Sequence, residues 1–272
     1  MAGGCSRPAG STPEMSGELD AAIAACRTAG DLLRARFRRT TAYEKKGPID
    51  FVTDADHESQ RLIHLALTRD FPHAVTGEEA AGLLPSRGSY WLVDPLDGTT
   101  NFLRGYPAFC VSIAFVSEAE ATCGAVYDPL HDELFTAERG RGAFLNGEPI
   151  SAAATGSLAE SILSTGFPYD AWTCPEAPAE ALGLFLRRVV TVRCDGAAAL
   201  DLCNVAAGRV DGFWEERLEP WDMAAGALIV QEAGGRISTR EGMPFTLESA
   251  SILASNGRIH DAMLEVLAVE DS

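Results

Sequence analysis

The sequence lacks the cysteine patterns of zinc sites and disulfide frameworks. Its seven cysteines, an odd number, include no C-x-x-C pair; they lie at positions 5, 26, 110, 123, 174, 194 and 203. Zinc-finger and disulfide-stapled proteins are therefore disfavoured. Because a free thiol behaves as a small apolar side chain, we expect most of these cysteines in the core.

Long apolar runs are also missing. A transmembrane helix needs about 20 consecutive apolar residues, and no segment of this sequence approaches that length. The first residues, MAGGCSRPAGSTPEMSG, are small, polar and turn-forming, and lack the apolar stretch of a secretory signal. We therefore expect a disordered tail over residues 1–16, a cytoplasmic location and no membrane partner.

Positive charge is scarce. The chain has 39 acidic and 22 basic residues, which gives a net charge of −17, and its only lysines are Lys45 and Lys46. So acidic a surface repels nucleic acid and anionic membranes, and we expect neither as a partner. An anionic substrate would be repelled as well, unless bound cations reversed the field locally.

The first half of the chain predicts two helices and then an antiparallel sheet. Apolar residues recur at helical spacing over 17–39, and a second helix is predicted from 54–56 to Arg69. Residues 40–50, which carry Gly47-Pro48, are predicted to form a loop. The sheet is predicted from short apolar or alternating runs and the hairpin turn Asn146-Gly147. The runs span residues 90–93, 110–116, 122–127 and 133–136.

The second half alternates strands and helices, which is typical of α/β layering. Strands are predicted at 161–165, 189–193, 212–215, 236–238 and 251–254, and helices at 176–188, 197–208, 222–233 and 259–269. A change in composition near 152–156 suggests a boundary there. With 272 residues the chain is long enough for two packed sub-domains, predicted at 17–152 and 153–272.

Two carboxylates stand close together in the run WLVDPLDGTTNF, residues 91–102. Asp94 ends a short apolar run and Asp97 follows three residues later. Pro95 favours an extended backbone at Asp94, and Gly98 permits a sharp turn, so both side chains can converge on one point. Two such carboxylates repel each other unless a cation lies between them, and hard divalent cations prefer oxygen ligands. An ordinary turn is the alternative, because Asp-Pro and Asp-Gly pairs are common in turns, where the Asp side chain forms hydrogen bonds with the backbone.

Acids stand at two further boundaries between predicted elements. Glu78 and Glu79 follow a short apolar run and Thr76-Gly77, and Asp222 opens a strongly apolar helix. Each has a plain alternative role, because the glutamates could lie on the surface and Asp222 could cap its helix. The three signals gain weight from their joint occurrence, in the order G-E-E, D-P-L-D-G-T, W-D-M-A-A-G.

Taken together, these motifs resemble those of the inositol monophosphatase family, part of the lithium-sensitive, magnesium-dependent phosphatase superfamily. The main matching stretches are TGEEA, WLVDPLDGTTNF and PWDMAAGALIVQEAGG. Shorter matches are PIDFVTDAD at 48–56, GAVYDPLHDELFTAERGRGAFLNGEPI at 124–150, STGFPY at 164–169 and DGFWE at 211–215. The resemblance covers about residues 18–268. It implies a layered α-β-α-β-α sandwich that combines α+β and α/β parts, with a metal cluster between the two halves.

The resemblance also implies ligands for two or three Mg²⁺ ions. The matching ligands are the carboxylates of Glu78, Asp94, Asp97 and Asp222 and the carbonyl of Leu96. The implied reaction is hydrolysis of a phosphate monoester by direct in-line attack of water, with no phosphoenzyme.

Other positions match residues that handle the water, the phosphate and access to the site. By resemblance, Glu78 and Thr99 orient the attacking water, and Asp56 supports Thr99 through a hydrogen bond. Backbone N–H groups of Gly98 and Thr99 would bind phosphate oxygens. Glu44 and Lys45, with Lys46, match a mobile loop that closes over the site in this family.

The leaving alcohol has its own implied subsite, made of Asp97, Gly196, Ala198 and Glu215. A carboxylate at Glu215 accepts hydrogen bonds from ring hydroxyls, and it would equally suit an ammonium group. Phe167 stands where some members of the family have a polar substrate contact, which argues against strict inositol specificity.

The first functional hypothesis is therefore hydrolysis of inositol 1-phosphate by a homodimer that lithium inhibits, as the resemblance implies. The alternative within enzymes is a histidinol-phosphatase or another sugar or nucleotide phosphatase. A non-catalytic relative that acts through protein or RNA-machinery contacts would require loss of a ligand, and every matching acid is present. A Ca²⁺-binding module would require a loop of the D-x-D-x-D-G type, which the sequence lacks.

Overall fold

The structure, a computed structural model, describes residues 15–39, 42–45, 51–79, 85, 87–168, 171 and 173–268. In this part of the chain the helices are α1 (Gly17–Arg36), α2 (Asp54–Asp70), α3 (Thr99–Arg104), α4 (Glu176–Leu186), α5 (Ala198–Ala206), α6 (Pro220–Glu232) and α7 (His260–Ala268). The strands of the first half are β1 (Tyr43–Lys45), β2 (Phe51–Thr53), β3 (Ala74–Gly77), β4 (Ser89–Asp97), β5 (Cys110–Ser117), β6 (Glu120–Asp128), β7 (Glu133–Glu138), β8 (Ala143–Leu145) and β9 (Glu148–Ile150). Those of the second half are β10 (Ile162–Thr165), β11 (Thr191–Arg193), β12 (Gly212–Glu216), β13 (Arg236–Ser238) and β14 (Ser251–Ser255).

Two large sheets divide the strands between the halves of the chain. The first has the order β3-β4-β5-β6-β7-β8-β9, and the second has the order β11-β10-β12-β14-β13. In the second sheet β10 runs parallel to β11 and β12, whereas β14 is antiparallel to β12 and β13. A separate antiparallel pair joins β1 to β2.

Three apolar clusters place the helices around these sheets. Alternate residues of a strand face opposite sides of its sheet. On β4, Trp91 and Val93 therefore pack against α1 and α2, whereas Tyr90 and Leu92 pack against α5 and α6. The same middle cluster takes in Phe213 of the second sheet, whose opposite face packs against α4 and α7. The layers are thus α-β-α-β-α, and the fold class predicted from the sequence is confirmed.

The predicted helices are confirmed to within a few residues at each end. Local chemistry sets their starts: the Ser16 hydroxyl accepts a hydrogen bond from the Leu19 N–H at 3.2 Å, and Thr53 begins α2 with a capping box. Four of the six described cysteines are buried as expected, and Cys5 lies outside the described residues. None of the described helices is both long and apolar enough to cross a membrane.

Three predictions about the first half were wrong in part. The first sheet is mixed, because β3 pairs with β4 in parallel. Residues Tyr43–Lys45 of the predicted loop form a strand; it is three residues long and exposed throughout, so it leaves no burial pattern in the sequence. The strand that was expected to end at Asp94 continues to Asp97, with a shift of register between these two residues.

Helix α6 is buried on all its sides, which explains why its sequence shows no polar face. It packs against α5 so closely that a Cβ atom at Gly226 would lie 2.7 Å from Cβ and Cδ1 of Leu202. Gly183 of α4 offers a contrast, since a Cβ atom there would meet nothing within 4 Å.

These two helical glycines should respond oppositely to alanine. We expect Gly226→Ala to lower the free energy of unfolding by about 1–3 kcal/mol, because the added methyl group overpacks the contact between α5 and α6. Gly183→Ala should raise it by about 0.5–1 kcal/mol, because alanine restricts the unfolded chain at no steric cost. Urea unfolding of both variants measures the difference. Shifts of the same sign in both would contradict the close packing of α6 on α5.

Candidate active site

A cavity of about 680 Å³ opens where elements from both halves of the chain end. Its walls come from the ends of β4 and β10, from β12, and from the starts of α3, α5 and α6. The residues that line it are Phe51, Glu78, Asp94, Leu96, Asp97, Gly98, Thr99, Thr100, Asn101, Gly166, Phe167, Pro168, Gly196, Ala198, Glu215, Arg217, Leu218, Glu219, Trp221 and Asp222. Every predicted metal ligand and every predicted substrate contact is among them.

The end of β4 supplies the central carboxylate. Asp94 falls on the same face of the strand as Tyr90 and Leu92, so it points towards the helices between the sheets. It is 2% exposed, and its Oδ1 accepts a hydrogen bond from the N–H of Leu96 at 3.0 Å. The shift of register after Asp94 lets the strand present a second acid, Asp97, to the same cavity.

Asp97 joins the two halves of the chain. Its Oδ2 accepts a hydrogen bond from the backbone N–H of Ala199 at 2.8 Å, in the first turn of α5. The Sγ atom of Cys110 lies 3.6 Å from the same oxygen. Because the free N–H groups at a helix start favour a negative charge, α5 stabilises the ionised form of Asp97.

The position of Glu78 depends on the glycine before it. Gly77 ends β3 with a φ of 151°, and a Cβ atom there would lie 1.8 Å from the carbonyl oxygen of Val93. Without a side chain, the strand can approach β4 closely enough for the Glu78 N–H to donate to that carbonyl at 3.2 Å. The glycine of the TGEEA stretch thus places Glu78 beside the end of β4.

Asp56 and Thr99 are linked as the resemblance implied. The Thr99 Oγ1 lies 2.9 Å from Oδ1 of Asp56 and 2.9 Å from the carbonyl oxygen of Leu96. A hydroxyl has one proton, and a carboxylate is the stronger acceptor. With the proton directed to Asp56, the Leu96 carbonyl keeps its lone pairs. Asp56 itself is held by the backbone N–H of Thr53 at 2.9 Å.

Glu79 was noted beside Glu78 in the sequence but was not predicted to belong to the site. Its side chain is 6% exposed, and its Oε2 lies 3.7 Å from Nδ1 of His57. One carboxylate oxygen from each of Asp56, Glu78 and Glu79 lies within 4.8 Å of the other two. Asp94, Asp97 and Asp222 are not part of this group. The doubled glutamate of TGEEA was the signal for Glu79, but sequence alone did not show that both members turn inward.

Asp222 arrives from α6, where it occupies the third helical position. Its Oδ2 accepts a hydrogen bond from the Glu219 backbone N–H at 2.9 Å, so it takes part in a capping box. The capping alternative weighed from the sequence is therefore present. It does not exclude a ligand role, because Asp222 also lines the cavity.

Burial and mutual repulsion raise the pKa values of these acids. Burial, and then the charges of Glu78, Asp97 and Asp222, raises the pKa of Asp94 well above its usual range. Burial followed by the charge of Asp97 does the same to the pKa of Asp222. For Asp97, burial raises the pKa to about 6, although the Ala199 N–H opposes the shift. The protein thus holds carboxylates together where their charges are unfavourable without a cation.

Glu215, a residue of the predicted alcohol subsite, reaches the cavity from β12. Glu215 ends the inward face of β12, and a Cβ atom at Gly166 would lie 2.1 Å from its Oε2, so a larger residue there would displace the Glu215 carboxylate. Burial, followed by the charges of Asp201 and Asp222, raises the pKa of Glu215 well above its usual range. Within the described residues, Glu215 forms no ion pair with an arginine, including its near neighbour Arg217.

Gly196 and Ala198, the small residues of the predicted alcohol subsite, also line the cavity. Gly196 has a φ of 74°, and Nδ2 of Asn101 donates to the carbonyl oxygen of Asp195 at 2.7 Å. The same nitrogen donates to the carbonyl oxygen of Ala108 at 2.8 Å. Asn101 thereby connects the start of α3 to the segment that precedes α5.

The predicted mobile loop lies only partly within the described residues. Glu44 and Lys45 belong to the exposed strand β1, where Glu44 pairs with Val52, and neither lines the cavity. Lys46 falls outside the described residues. Phe167 lines the cavity and is 44% exposed, so an aromatic ring stands at its rim.

Comparisons with known proteins agree with this arrangement. A family model for the inositol monophosphatase family matches residues 14–270. Inositol-1-monophosphatase of Synechocystis is 39% identical over 265 residues, which cover 96% of this chain and 92% of that protein. Nus factor SuhB of Escherichia coli K12 is 41% identical over 250 residues, which cover 90% and 94% respectively. The crystal structure of extragenic suppressor protein SuhB from Bartonella henselae has a TM-score of 0.89 and 38% identity, over 93% of this chain and 98% of that one.

The family match spans nearly the whole chain, and the relatives are matched over nearly their whole length. The chain belongs to the inositol monophosphatase family, a family of enzymes that hydrolyse phosphate monoesters.

Proposed function

We propose that the chain is a Mg²⁺-dependent phosphatase that hydrolyses a small phosphate monoester, with inositol 1-phosphate as the first candidate. The observation that carries the proposal is the convergence of Asp94, Asp97, Asp222 and Glu78 in one cavity, from elements of both halves of the chain. A relative at 39% identity bears the name inositol-1-monophosphatase, which supports the same substrate.

The donor set fits hard divalent cations. Its atoms are oxygens, of carboxylates and one backbone carbonyl, which is the preference of Mg²⁺. Glu78, Asp94 and the Leu96 carbonyl would hold one ion, and Asp94, Asp97 and Asp222 a second. A third ion would lie near Glu78, Glu79 and Asp56. One carboxylate oxygen of each of these residues lies within 4.8 Å of the other two. Bound there, the cations would offset the phosphate charge and lower the pKa of a water molecule.

The chain's own residues would orient the attacking water. The Thr99 hydroxyl donates a hydrogen bond to Asp56, so its lone pairs can accept a hydrogen bond from the water. Glu78 would accept the second hydrogen bond. Gly98 and Thr99 line the same cavity, and their backbone N–H groups would bind phosphate oxygens.

Glu215 would read the leaving alcohol. Its carboxylate shares the cavity with the metal-site acids but comes from β12, so it would meet the alcohol while the phosphate meets the cations. Hydroxyl groups donate to such an acceptor in charge-assisted hydrogen bonds. An ammonium group would bind as well, which keeps histidinol phosphate as the second candidate.

A relative at 41% identity is named Nus factor SuhB, a name that does not mention hydrolysis. In this chain all of the acids expected of a catalytic member are present and share one cavity with the predicted substrate residues. This completeness favours an enzyme. Inhibition by lithium and a homodimeric state stay predictions from the family likeness.

The first prediction concerns stability without metal. Burial raises the pKa of Asp97 in the folded protein to about 6, from its ordinary value of 3.8. A raised pKa means that this group stabilises the fold below pH 3.8 and that the contribution is lost as the pH rises through about 6. The melting temperature in EDTA should therefore be lower at pH 7.5 than at pH 5, and Mg²⁺ should abolish this difference by favouring the charged form.

The control for general repulsion by the net charge of −17 is NaCl, which screens surface charges and reaches buried ones much less. The test is a melting series at both pH values in EDTA, in Mg²⁺ and in NaCl of equal ionic strength. Equal effects of NaCl and Mg²⁺ at pH 7.5 would contradict a specific metal site.

The second prediction concerns Asp94. We expect Asp94→Asn to lower kcat by at least about 100-fold, comparable with the loss of a major electrostatic contact. Folding should survive, because the change relieves repulsion in the buried cluster. The matched control is Asp31→Asn, which removes the same charge from an exposed helical position. The measurement is turnover of inositol 1-phosphate with Mg²⁺. A near-normal kcat in Asp94→Asn would show that Asp94 is not a metal ligand.

The third prediction concerns Glu215 and the alcohol. Glu215→Gln should lower kcat/KM for inositol 1-phosphate by roughly 10- to 150-fold, since a charge-assisted hydrogen bond contributes about 1.5–3 kcal/mol. A plain aryl phosphate has no alcohol hydroxyl that could bind Glu215, so its kcat/KM should change little. If kcat/KM falls equally for both substrates, Glu215 does not bind the alcohol. Histidinol phosphate, run in parallel, replaces inositol 1-phosphate as the proposed substrate if it is both the better substrate and the more affected one.

A further inference from the structure

Arg217 differs in charge from the other ionisable side chains of the cavity. Among the described lining residues it is the only lysine or arginine, and the remaining charged ones are acids: Glu78, Asp94, Asp97, Glu215, Glu219 and Asp222. The residue is exposed and stands at the rim. A cation there cannot be a ligand of the proposed metal site.

The backbone of Arg217 is held in a conformation that favours glycine. Its φ is 59°, and of the non-glycine residues with positive φ in the described chain, it alone lines this cavity. The bend is fixed by two hydrogen bonds to the carbonyl oxygen of Ala250, from the N–H of Arg217 at 2.5 Å and from that of Leu218 at 3.3 Å. Glycine would adopt this conformation without steric penalty. A strained residue at the rim of a functional site points to a role for its side chain.

The position of Arg217 also fixes the part of the substrate it would meet. It follows Glu215 by two residues, so the two Cα atoms are at most about 7 Å apart. Since Glu215 is the residue proposed to read the alcohol, Arg217 lies on the side of the leaving group. A second pocket of about 350 Å³ borders the cavity at Arg217, Leu218 and Glu219, and its other lining residues include Glu248.

We propose that Arg217 binds a second anionic group, a phosphate or a carboxylate, carried by the leaving alcohol. The inference rests on the proposed function, because it requires the first phosphate to be held by the metal ions. A second anion in this cavity would otherwise meet Glu215 and Glu219 and be repelled. A guanidinium group offers paired N–H donors that match the oxygens of phosphate and carboxylate. The site would then favour a bisphosphate or a phosphorylated acid over a neutral polyol monophosphate.

The experiment compares three substrates with Mg²⁺: inositol 1-phosphate, fructose 1,6-bisphosphate and 3-phosphoglycerate. The variants are Arg217→Gln, which removes the charge, Arg217→Gly, which also relieves the positive φ, and Arg217→Lys, which keeps the charge. Arg38→Gly is the matched control, because Arg38 is an exposed arginine with the same φ of 59° and lies outside the cavity lining. The measured quantity is the ratio of kcat/KM for each doubly anionic substrate to that for inositol 1-phosphate.

We expect this ratio to fall about tenfold in Arg217→Gln and Arg217→Gly for at least one doubly anionic substrate. A tenfold effect is at the low end of the range for a hydrogen bond to a charged group, because Arg217 is exposed. The change should lie mainly in KM, be partly restored in Arg217→Lys and be absent in Arg38→Gly. It should also shrink as NaCl is added, since salt screens exposed charges. A larger effect on the bisphosphate identifies phosphate as the group that Arg217 binds, and a larger effect on phosphoglycerate identifies carboxylate.

Two results would overturn the inference while leaving the proposed function intact. If the ratio is the same in the wild type and in Arg217→Gln, the arginine binds no second anion. If all three substrates lose activity equally, Arg217 acts on the scissile phosphate or on the fold, and melting curves of the variants show which of these it is. If the wild type hydrolyses none of the three substrates, the proposed function fails and the inference fails with it.

Discussion

Repulsion among carboxylates held in one buried cavity is the constraint on which the rest of this structure depends. Asp94, Asp97 and Asp222 line one cavity, and burial raises the pKa of each of them; at Asp94 and Asp222 the charges of neighbouring acids raise it further. The fold offsets part of this repulsion with backbone N–H donors, of which Ala199 to Asp97 is one. Apolar packing must supply the rest, because carboxylates in one cavity do not stay together by themselves.

The middle layer supplies that packing. Helices α5 and α6 contribute to one apolar cluster with both sheets, and α6 is buried from Met223 to Val230. The same helices begin at the cavity, where α5 donates an N–H to Asp97 and α6 carries Asp222 in its first turn. Core and site are therefore parts of the same elements, and a shift of either helix would move a functional group.

The sequence was sufficient for the features that depend on local pattern. The periodic spacing of apolar residues predicts the first helix, α2 begins and ends close to its predicted limits, and the acids of the DPLDGT run predict convergent carboxylates. The features that were missed depend on distant contacts. Parallel pairing of β3 with β4 relies on Gly77 approaching Val93, and the inward turn of Glu79 relies on its neighbours Asp56 and His57. No periodicity within a single segment records such approaches.

The position of Arg217 at the cavity is a further feature that the sequence does not predict. In the sequence it is one of twenty arginines on an acidic protein, with nothing to distinguish it from the others. Only the path of the chain after β12, with its positive φ and its hydrogen bonds to Ala250, places this side chain at the cavity.

The bond from Ala199 to Asp97 has a consequence for the order in which the protein is made. During synthesis the N-terminal half leaves the ribosome first, and it carries Glu78, Asp94 and Asp97 before the chain that contains Ala199 and Asp222 exists. The nascent half therefore exposes an incomplete anionic cluster without the N–H donor and the final carboxylate. The proposed ion site therefore cannot be complete before Ala199 and Asp222 have been synthesised, and a product truncated before Asp222 lacks part of it.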